Sequence, residues 1–330
     1  MFYKYLQLPT ILKVNHEVGS LDAILTDHNL YFQKKIVITT KHLYKLYKKH
    51  FKKIKRVKFK LLKSFDVSDI AQLEKLKKHK GSLIIGFGGG KVLDYAKYFA
   101  SSNSYPFFSM PSTLSNDGIY SPVAILKKNG KRISVGINPP IGVLVDFSII
   151  KQSPKINLLA GIGDLVSNVS ALDDWKLAHE QMGEPINDFS YTLSHMAAYS
   201  VLHSNTTEIF DEKFLKKLSY GLIISGLAMS IAGSSRPASG AEHQISHAID
   251  HLYPKRVTHH GIQVAYGCLL IEERFRNKRH KLYKDFFDNI GLTQAIKEEI
   301  NFTPKEIDNI IQAAATIRNR FTILSLHSKT

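Results

Sequence analysis

Between residues 34 and 115, short apolar runs alternate with segments of helical spacing. KKIVITT (34–40) is brief and β-branched and reads as a strand, followed by the helical HLYKLYKKHF. VKFKLL reads as a second strand, and VSDIAQLEKLKKHK has helical spacing with Ser68 as its cap. GSLIIGFGG then gives a buried strand running into glycines, KVLDYAKYFASS a helix, and YPFFSMPST another apolar strand. The order β-α-β-α-β predicts an open, mostly parallel sheet wound with helices. Ligands of such a sheet are expected at the carboxyl ends of its strands.

From about Pro154 the period changes. NLLAGIGDLVSNVSALDDWKLAHE, DFSYTLSHMAAYSVLHSN, DEKFLKKLSYGLIISGLAMSIAG, GAEHQISHAIDHLY, HHGIQVAYGCLLIEERF and PKEIDNIIQAAATIRNR all carry helical spacing, with few strand patterns between them. The expected architecture is an α/β nucleotide-binding domain over residues 1–152 followed by an all-α domain over 153–330.

Composition narrows the class. The chain has 330 residues, 44% hydrophobic and 22% charged, which fits a globular protein large enough for two domains. GLIISGLAMSIAG, among the longest apolar segments, falls short of the roughly 20 residues a membrane span requires, so no span is expected. MFYKYLQLP lacks the long apolar core of a signal peptide, and the expected location is the cytoplasm. Cys268 is the only cysteine, which excludes an intrachain disulfide and a thiolate-rich metal site. A metal would have to be held by His, Asp or Glu.

The formal charge is +17, and residues 1–80 hold 19 Lys and Arg against 6 Asp and Glu. The densest run, KKHFKKIKRVKFK from Lys48, interleaves Ile54, Val57 and Phe59 with its cations, as a solvated surface element does. Nucleic acid is not an expected partner, because phosphate attraction by such a face is independent of sequence.

Three stretches carry chemistry. GFGGGKVLD follows an apolar strand and opens a helix at about Lys91, where unpaired N–H groups and a partial positive charge receive phosphate and glycines admit it closely. Its spacing is GxGGG, not the ordinary GxGxxG. PSTLSNDGIYSP follows the next strand; Ser112, Ser115 and Ser121 can donate to phosphate or ribose, and Asp117 can face a substrate hydroxyl. Finally, Asp164 in AGIGD, the histidines of GAEHQISH and those of THHG supply one carboxylate and several imidazoles, a donor type suited to catalytic Zn²⁺ or Ni²⁺. His243, His247 and His251 recur every four residues on one helix face, and His259 adjoins His260. His179, His195 and His203 are further candidates, so spacing alone does not choose the ligands.

GGGKVLDYAK, PSTLSNDGIYSP, AGIGDLVSNVSALDDWKLA, SSRPASGAEHQISHAID and HHGIQVAYG, in this order, resemble the sn-glycerol-1-phosphate dehydrogenases of the metal-dependent polyol dehydrogenase and dehydroquinate synthase-like superfamily. The likeness runs from about residue 80 to the C-terminus. It implies a metal held by Asp164, His243 and His260, with His247 as substrate contact and proton relay and Asp117 as a second substrate contact. It implies that Gly88, Gly89, Gly90, Lys91, Val92 and Asp94 form the cofactor turn, with Ser112, Ser115 and Ser121 lining the nucleotide site. Arg236 is a candidate for the substrate phosphate on the strength of its guanidinium fork. The implied reaction is NAD(P)H-linked reduction of dihydroxyacetone phosphate to sn-glycerol 1-phosphate by a homo-oligomer of two or more copies. Lys41 and Lys45 could meet the 2′-phosphate of NADPH. The alternatives are a same-fold dehydrogenase acting on another polyol, keto sugar or phosphorylated ketone, and a dehydroquinate synthase-type lyase.

Overall fold

In the computed structural model, which describes residues 10–67, 81–129, 131–256 and 258–327, the chain divides into two compact units. One comprises Met1–Leu114 with Gly118–Ser153; the other comprises Ser115–Asp117 with Pro154–Thr330. Residues 68–80 of the helix expected over 67–80, its Ser68 cap among them, lie outside the described residues.

The first unit is built on a six-stranded sheet in the order β1 (Ile11–Val14), β8 (Gly142–Val145), β5 (Phe107–Pro111), β4 (Ser82–Gly88), β2 (Lys34–Thr40) and β3 (Val57–Leu62). Every pairing in it is parallel. The strand period of two sorts the core onto both faces. Val37, Leu83, Ile85, Phe87 and Phe108 join a cluster on one side, whereas Ile36, Ile38, Ile84 and Phe107 pack with Tyr95 and Phe99 on the other. The helices α1 (Leu21–Asp27), α2 (Lys41–Tyr47), α3 (Gly90–Ser102) and α4 (Phe147–Ile150) belong to this unit.

The parallel sheet is as expected, but two of its strands, β1 and β8, are only four residues long and carry too little pattern to be read. A separate antiparallel pair, β6 (Val123–Lys128) with β7 (Lys131–Gly136), was also not foreseen. The basic run folds into a 3₁₀ turn at Lys48–Phe51, a connection in which Lys52, Lys53, Lys55 and Arg56 are exposed, and β3, the edge strand of the sheet, on which Lys58 is exposed. Cations on an edge strand oppose its pairing with another chain, which gives this charge a bland structural role.

The second unit is helical: α5 (Lys155–Val166), α6 (Asn168–Met182), α7 (Asp188–Leu202), α8 (Glu212–Ala232), α9 (Ala241–Leu252), α10 (His260–Ile271), α11 (His280–Ile290), α12 (Leu292–Glu299), α13 (Pro304–Thr316) and α14 (Ile323–His327). The apolar stretch from Gly221 is the second half of the helix read over DEKFLKKLSYGLIISGLAMSIAG. At 21 residues, α8 is long and apolar enough to span a membrane by length and composition, but 61% of its apolar window is buried inside the protein. Packing therefore accounts for its composition. Arg276 and Asp174 form a buried ion pair beneath α9, where Asp174 also accepts the Ala241 N–H at 2.7 Å and anchors the start of that helix.

Candidate metal centre

Glycine decides how closely the helices of the second unit approach. A Cβ at Gly261 would lie 1.8 Å from the carbonyl oxygen of Ala160, and one at Gly163 would lie 2.3 Å from the carbonyl oxygen of Gly261. No side chain fits at either position, so α5 and α10 touch backbone to backbone. The residue after Gly163 is Asp164 and the residue before Gly261 is His260, so this contact carries the two side chains to one place. On the other flank of α10, a Cβ at Gly267 would meet the Glu242 carbonyl oxygen at 2.8 Å, which draws α9 and His243 into the same cluster.

Asp164, His243 and His260 each present one donor atom, and the three atoms lie within 4.8 Å of one another. The Asp164 Oδ1 atom is 3.7 Å from His243 Nε2 and 3.8 Å from His260 Nε2. Both separations are too long for hydrogen bonds. They are close to the spacing of about 3.4 Å between neighbouring ligands that surround one ion at roughly 2.1 Å in a tetrahedral site.

The remaining polar atoms are arranged to leave those donors facing inward. Asp164 Oδ2 accepts the backbone N–H of Asp117 at 2.9 Å, so Oδ1 is the oxygen turned to the imidazoles. His243 Nδ1 faces Glu242 Oε1 at 3.0 Å, and the same oxygen accepts the Gly240 N–H at 2.6 Å. A carboxylate oxygen only accepts, so Nδ1 carries the proton and Nε2 keeps its lone pair. Ser246 fixes His260 by the same logic. Its hydroxyl donates to Gln263 Oε1 at 2.6 Å and therefore accepts from His260 Nδ1 at 3.0 Å, while Gln263 Nε2 donates to Asp250 at 3.1 Å. Two oriented imidazoles and one oriented carboxylate form a donor set with room for further ligands, which fits a catalytic divalent cation.

Titration behaviour agrees with a cation-shaped site. Burial opposes charge on His243, but the facing Asp164 carboxylate and the hydrogen bond to Glu242 outweigh it and push its pKa up to about 9. Burial likewise works to raise the Asp164 carboxyl, yet its two histidine neighbours hold it below the ordinary carboxylate value.

The structure separates the competing histidines. His259 turns away from Asp164 and bonds Glu299 through Nδ1 at 2.6 Å. His251 is exposed, and His179 binds the Glu184 carbonyl. His195 and His203 stack on Tyr199 along α7. His247, half-buried one turn beyond His243, stacks on His260 with ring centroids 6.3 Å apart. Asp117 reaches the site through its backbone, and its carboxylate accepts from Ser225 at 3.2 Å.

Arg236 departs from its expected role. Its side chain is 5% exposed, its Nε and Nη2 close on the Glu184 carboxylate, and Nη1 donates to the Phe321 carbonyl at 2.8 Å. The fork that would have met a phosphate already holds a carboxylate. Glu184, Glu242, Ser246 and Gln263 were all missed from the sequence, since nothing in their spacing marks them; only the packing shows what they orient.

In the first unit, Gly88 closes β4 and Gly89 caps α3. A Cβ at Gly88 would meet Val92 at 2.6 Å, so this glycine is needed for the strand to turn into the helix. Val92 and Leu93 donate to the Gly89 carbonyl, leaving the N–H groups of Gly90 and Lys91 outside the helix's own bonding. Ser112 is nearly buried, with its N–H on the Gly88 carbonyl at 2.9 Å, and Ser115 is half-exposed. Two residues expected at the cofactor are occupied elsewhere. Asp94 is ion-paired with the buried Lys97 at 3.1 Å and accepts the Ile125 N–H, and the Ser121 hydroxyl donates to Val123 while receiving Lys97. A lysine without solvent needs these oxygens, which explains why they face it.

Comparison with known proteins places this geometry in a lineage. The glycerol-1-phosphate dehydrogenase [NAD(P)+] of Archaeoglobus fulgidus is 40% identical over 247 residues, covering 73% of this chain and 70% of its own length. The chain belongs to the glycerol-1-phosphate dehydrogenase family. The enzyme of the same name from Thermococcus sibiricus is 40% identical over 244 residues, 73% of this chain and 69% of that protein. Residues 14–154 match the family described as iron-containing alcohol dehydrogenase. Among solved structures, glycerol dehydrogenase from Schizosaccharomyces pombe superimposes with a TM-score of 0.76 at 18% identity, over 98% of this chain and 86% of that one. The iron-containing alcohol dehydrogenase of Thermotoga maritima gives 0.66 at 14% identity, over 100% and 99%. Both share the fold of this glycerol-1-phosphate dehydrogenase family member.

Proposed function

We propose that this chain reduces dihydroxyacetone phosphate to sn-glycerol 1-phosphate with NAD(P)H, using a divalent cation held by Asp164, His243 and His260. The observation that carries the reading is the convergence of those three donors, each oriented by a second residue, in a chain 40% identical to enzymes of that name. When bound, the cation polarises the ketone oxygen and the reduced nicotinamide supplies a hydride to the carbonyl carbon. Zn²⁺ suits the donor set, and so does the iron in the matched family's description.

The chain's own groups do the rest. Asp164, anchored by the Asp117 N–H, and the two imidazoles, anchored by Glu242 and Ser246, fix the cation's position. His247, beside His260, supplies the proton that the reduced oxygen requires. The Asp117 carboxylate orients a substrate hydroxyl. At the other ligand, the N–H groups of Gly90 and Lys91 at the head of α3 take the pyrophosphate of the dinucleotide, with Ser112 and Ser115 along its course.

The test combines metal analysis with a chiral assay of the product formed from dihydroxyacetone phosphate. The wild type is expected to carry one divalent ion and yield the sn-1 enantiomer, and His243→Ala to lose both ion and turnover. Full activity and metal content in His243→Ala would sink the ligand assignment. Turnover of an unphosphorylated ketone in place of dihydroxyacetone phosphate would sink the substrate.

A further inference from the structure

The three serines of α8 behave in two ways. Ser219 and Ser230 turn their hydroxyls back onto the carbonyls of Leu215 and Gly226, four residues earlier, at 2.7 and 3.1 Å, as helical serines commonly do. Ser225 does not. Its hydroxyl leaves the helix and donates to Asp117 Oδ2 at 3.2 Å, although the residue is only 1% exposed.

That hydroxyl has one proton and a carboxylate only accepts, so the proton is committed to Asp117. Ser225 Oγ must then accept from its other neighbour, Asn168 Nδ2, at 3.0 Å. Asn168 opens α6 and is equally buried. The direction of its amide is thereby fixed, nitrogen toward Ser225 and oxygen away, and Asn168 Oδ1 is left buried with no hydrogen-bond partner among the described residues. Turning the amide over would not help. Oδ1 would then face an oxygen whose proton is already spent, or would take that proton from Asp117. An unpaired buried oxygen costs stability, and what it secures here is the direction of the Ser225 proton.

Asp117 is held at both ends by this arrangement. Its backbone N–H donates to Asp164 Oδ2 at 2.9 Å, and its carboxylate is aimed by Ser225. A carboxylate offers about four acceptor positions, enough for a ligand hydroxyl beside Ser225. Resting on the reading that this site reduces a phosphorylated ketone and that Asp117 orients a substrate hydroxyl, we infer that Asn168 and Ser225 set the preference for a ketone with a hydroxyl on the neighbouring carbon. Both are positioning residues that act through the Asp117 carboxylate. A ketone with a methyl group in that place gives the aimed carboxylate nothing to accept while shutting it off from water, a larger penalty than a missing contact. Metal binding is independent of the relay, because Asp164 is anchored by the backbone of Asp117 and not by its carboxylate.

The experiment compares kcat/KM for dihydroxyacetone phosphate and hydroxyacetone phosphate, which differ only in that hydroxyl, with metal content measured for each variant. The wild type is expected to favour the first ketone at least about 100-fold. Ser225→Ala and Asn168→Ala are each expected to cut that ratio at least about 10-fold, through dihydroxyacetone phosphate alone and at wild-type metal content. The double variant is expected to lose no more than Ser225→Ala, since Asn168 acts through Ser225. Calorimetric binding of dihydroxyacetone phosphate without nicotinamide is expected to weaken in step. Ser219→Ala removes a buried hydroxyl bonded within the same helix and is expected to leave the ratio unchanged. Equal use of both ketones by the wild type, or a wild-type ratio in both Ser225→Ala and Asn168→Ala, would overturn this inference while leaving the reduction of dihydroxyacetone phosphate intact. So would metal loss in Ser225→Ala, or an equal fall of the ratio in Ser219→Ala. A wild type that does not reduce dihydroxyacetone phosphate would overturn the underlying reading, and this inference with it.

Discussion

Replacing Gly261 by alanine tests whether the helix contact builds the metal centre. The added Cβ would lie 1.8 Å from the Ala160 carbonyl oxygen. A comfortable carbon–oxygen contact is about 3.3 Å, so α5 and α10 must part by about 1.5 Å. Asp164 Oδ1 and His260 Nε2, now 3.8 Å apart, would be carried toward about 5 Å, beyond the reach of two bonds of roughly 2.1 Å to one ion. The expected cost is about 1–3 kcal/mol in stability from overpacking. Affinity for the divalent cation should fall by at least about 10- to 100-fold, the range for disturbed metal surroundings. Gly233→Ala is the control. Gly233 has φ +64 and nothing within 4 Å of an added Cβ, so it should lose about 1 kcal/mol to left-handed strain while keeping its metal. A competition titration with a chromophoric chelator, paired with thermal melting of both variants, measures the two effects separately. Wild-type metal affinity in Gly261→Ala, or an equal loss in Gly233→Ala, would refute the reasoning.

Three further outcomes follow from the same geometry. Ser246→Ala should leave His260 without its anchor and weaken metal binding about 10- to 100-fold, with Ser246→Thr restoring most of it; equilibrium dialysis reads both. In the metal-free protein His243 holds its proton up to a pKa of about 9, above the unfolded value near 6.5, so it stabilises the fold below about 6.5 and that stability fades as pH rises toward 9. For the same reason metal uptake should release close to one proton per ion at neutral pH and tighten as pH rises, which calorimetry in buffers of different ionisation enthalpy will show. Arg236→Ala should destabilise the fold by about 2–3 kcal/mol, below the usual range for a buried pair because Glu184 is 34% exposed, while leaving KM for the phosphorylated ketone within about twofold. A large rise in KM without loss of stability would restore the phosphate role to this residue.

The strands β2 to β5 were legible because each is a run of five or more apolar or alternating residues bounded by turns. β1 and β8 were not, because a strand of four residues carries too little period of its own. For β6 and β7, the Asn-Gly pair at 129–130 between two apolar runs was the available signal. Helices α11 and α12 were likewise passed over, although HKLYKDFFDNI is amphipathic, since they follow α10 after only a short break. Asp94, Ser121 and Arg236 show the opposite failure. Each lies in a motif that carries chemistry, yet each is turned toward a buried ion pair or hydrogen bond that no local pattern announces.

By itself the sequence determined the alternation of strand and helix, the phosphate-ready turn at Gly88–Lys91, and the supply of one carboxylate and many imidazoles to hold a metal. Those are local properties, set by period, glycine and side-chain chemistry. Which imidazoles face the carboxylate was decided only in three dimensions. His243, His247 and His251 recur along one side of α9, and His259 and His260 are neighbours, so their spacing is degenerate. The backbone contact at Gly163 and Gly261 and that of Gly267 against Glu242 break this degeneracy, because together they fix α10 against α5 and α9 and bring His260 and His243 to Asp164.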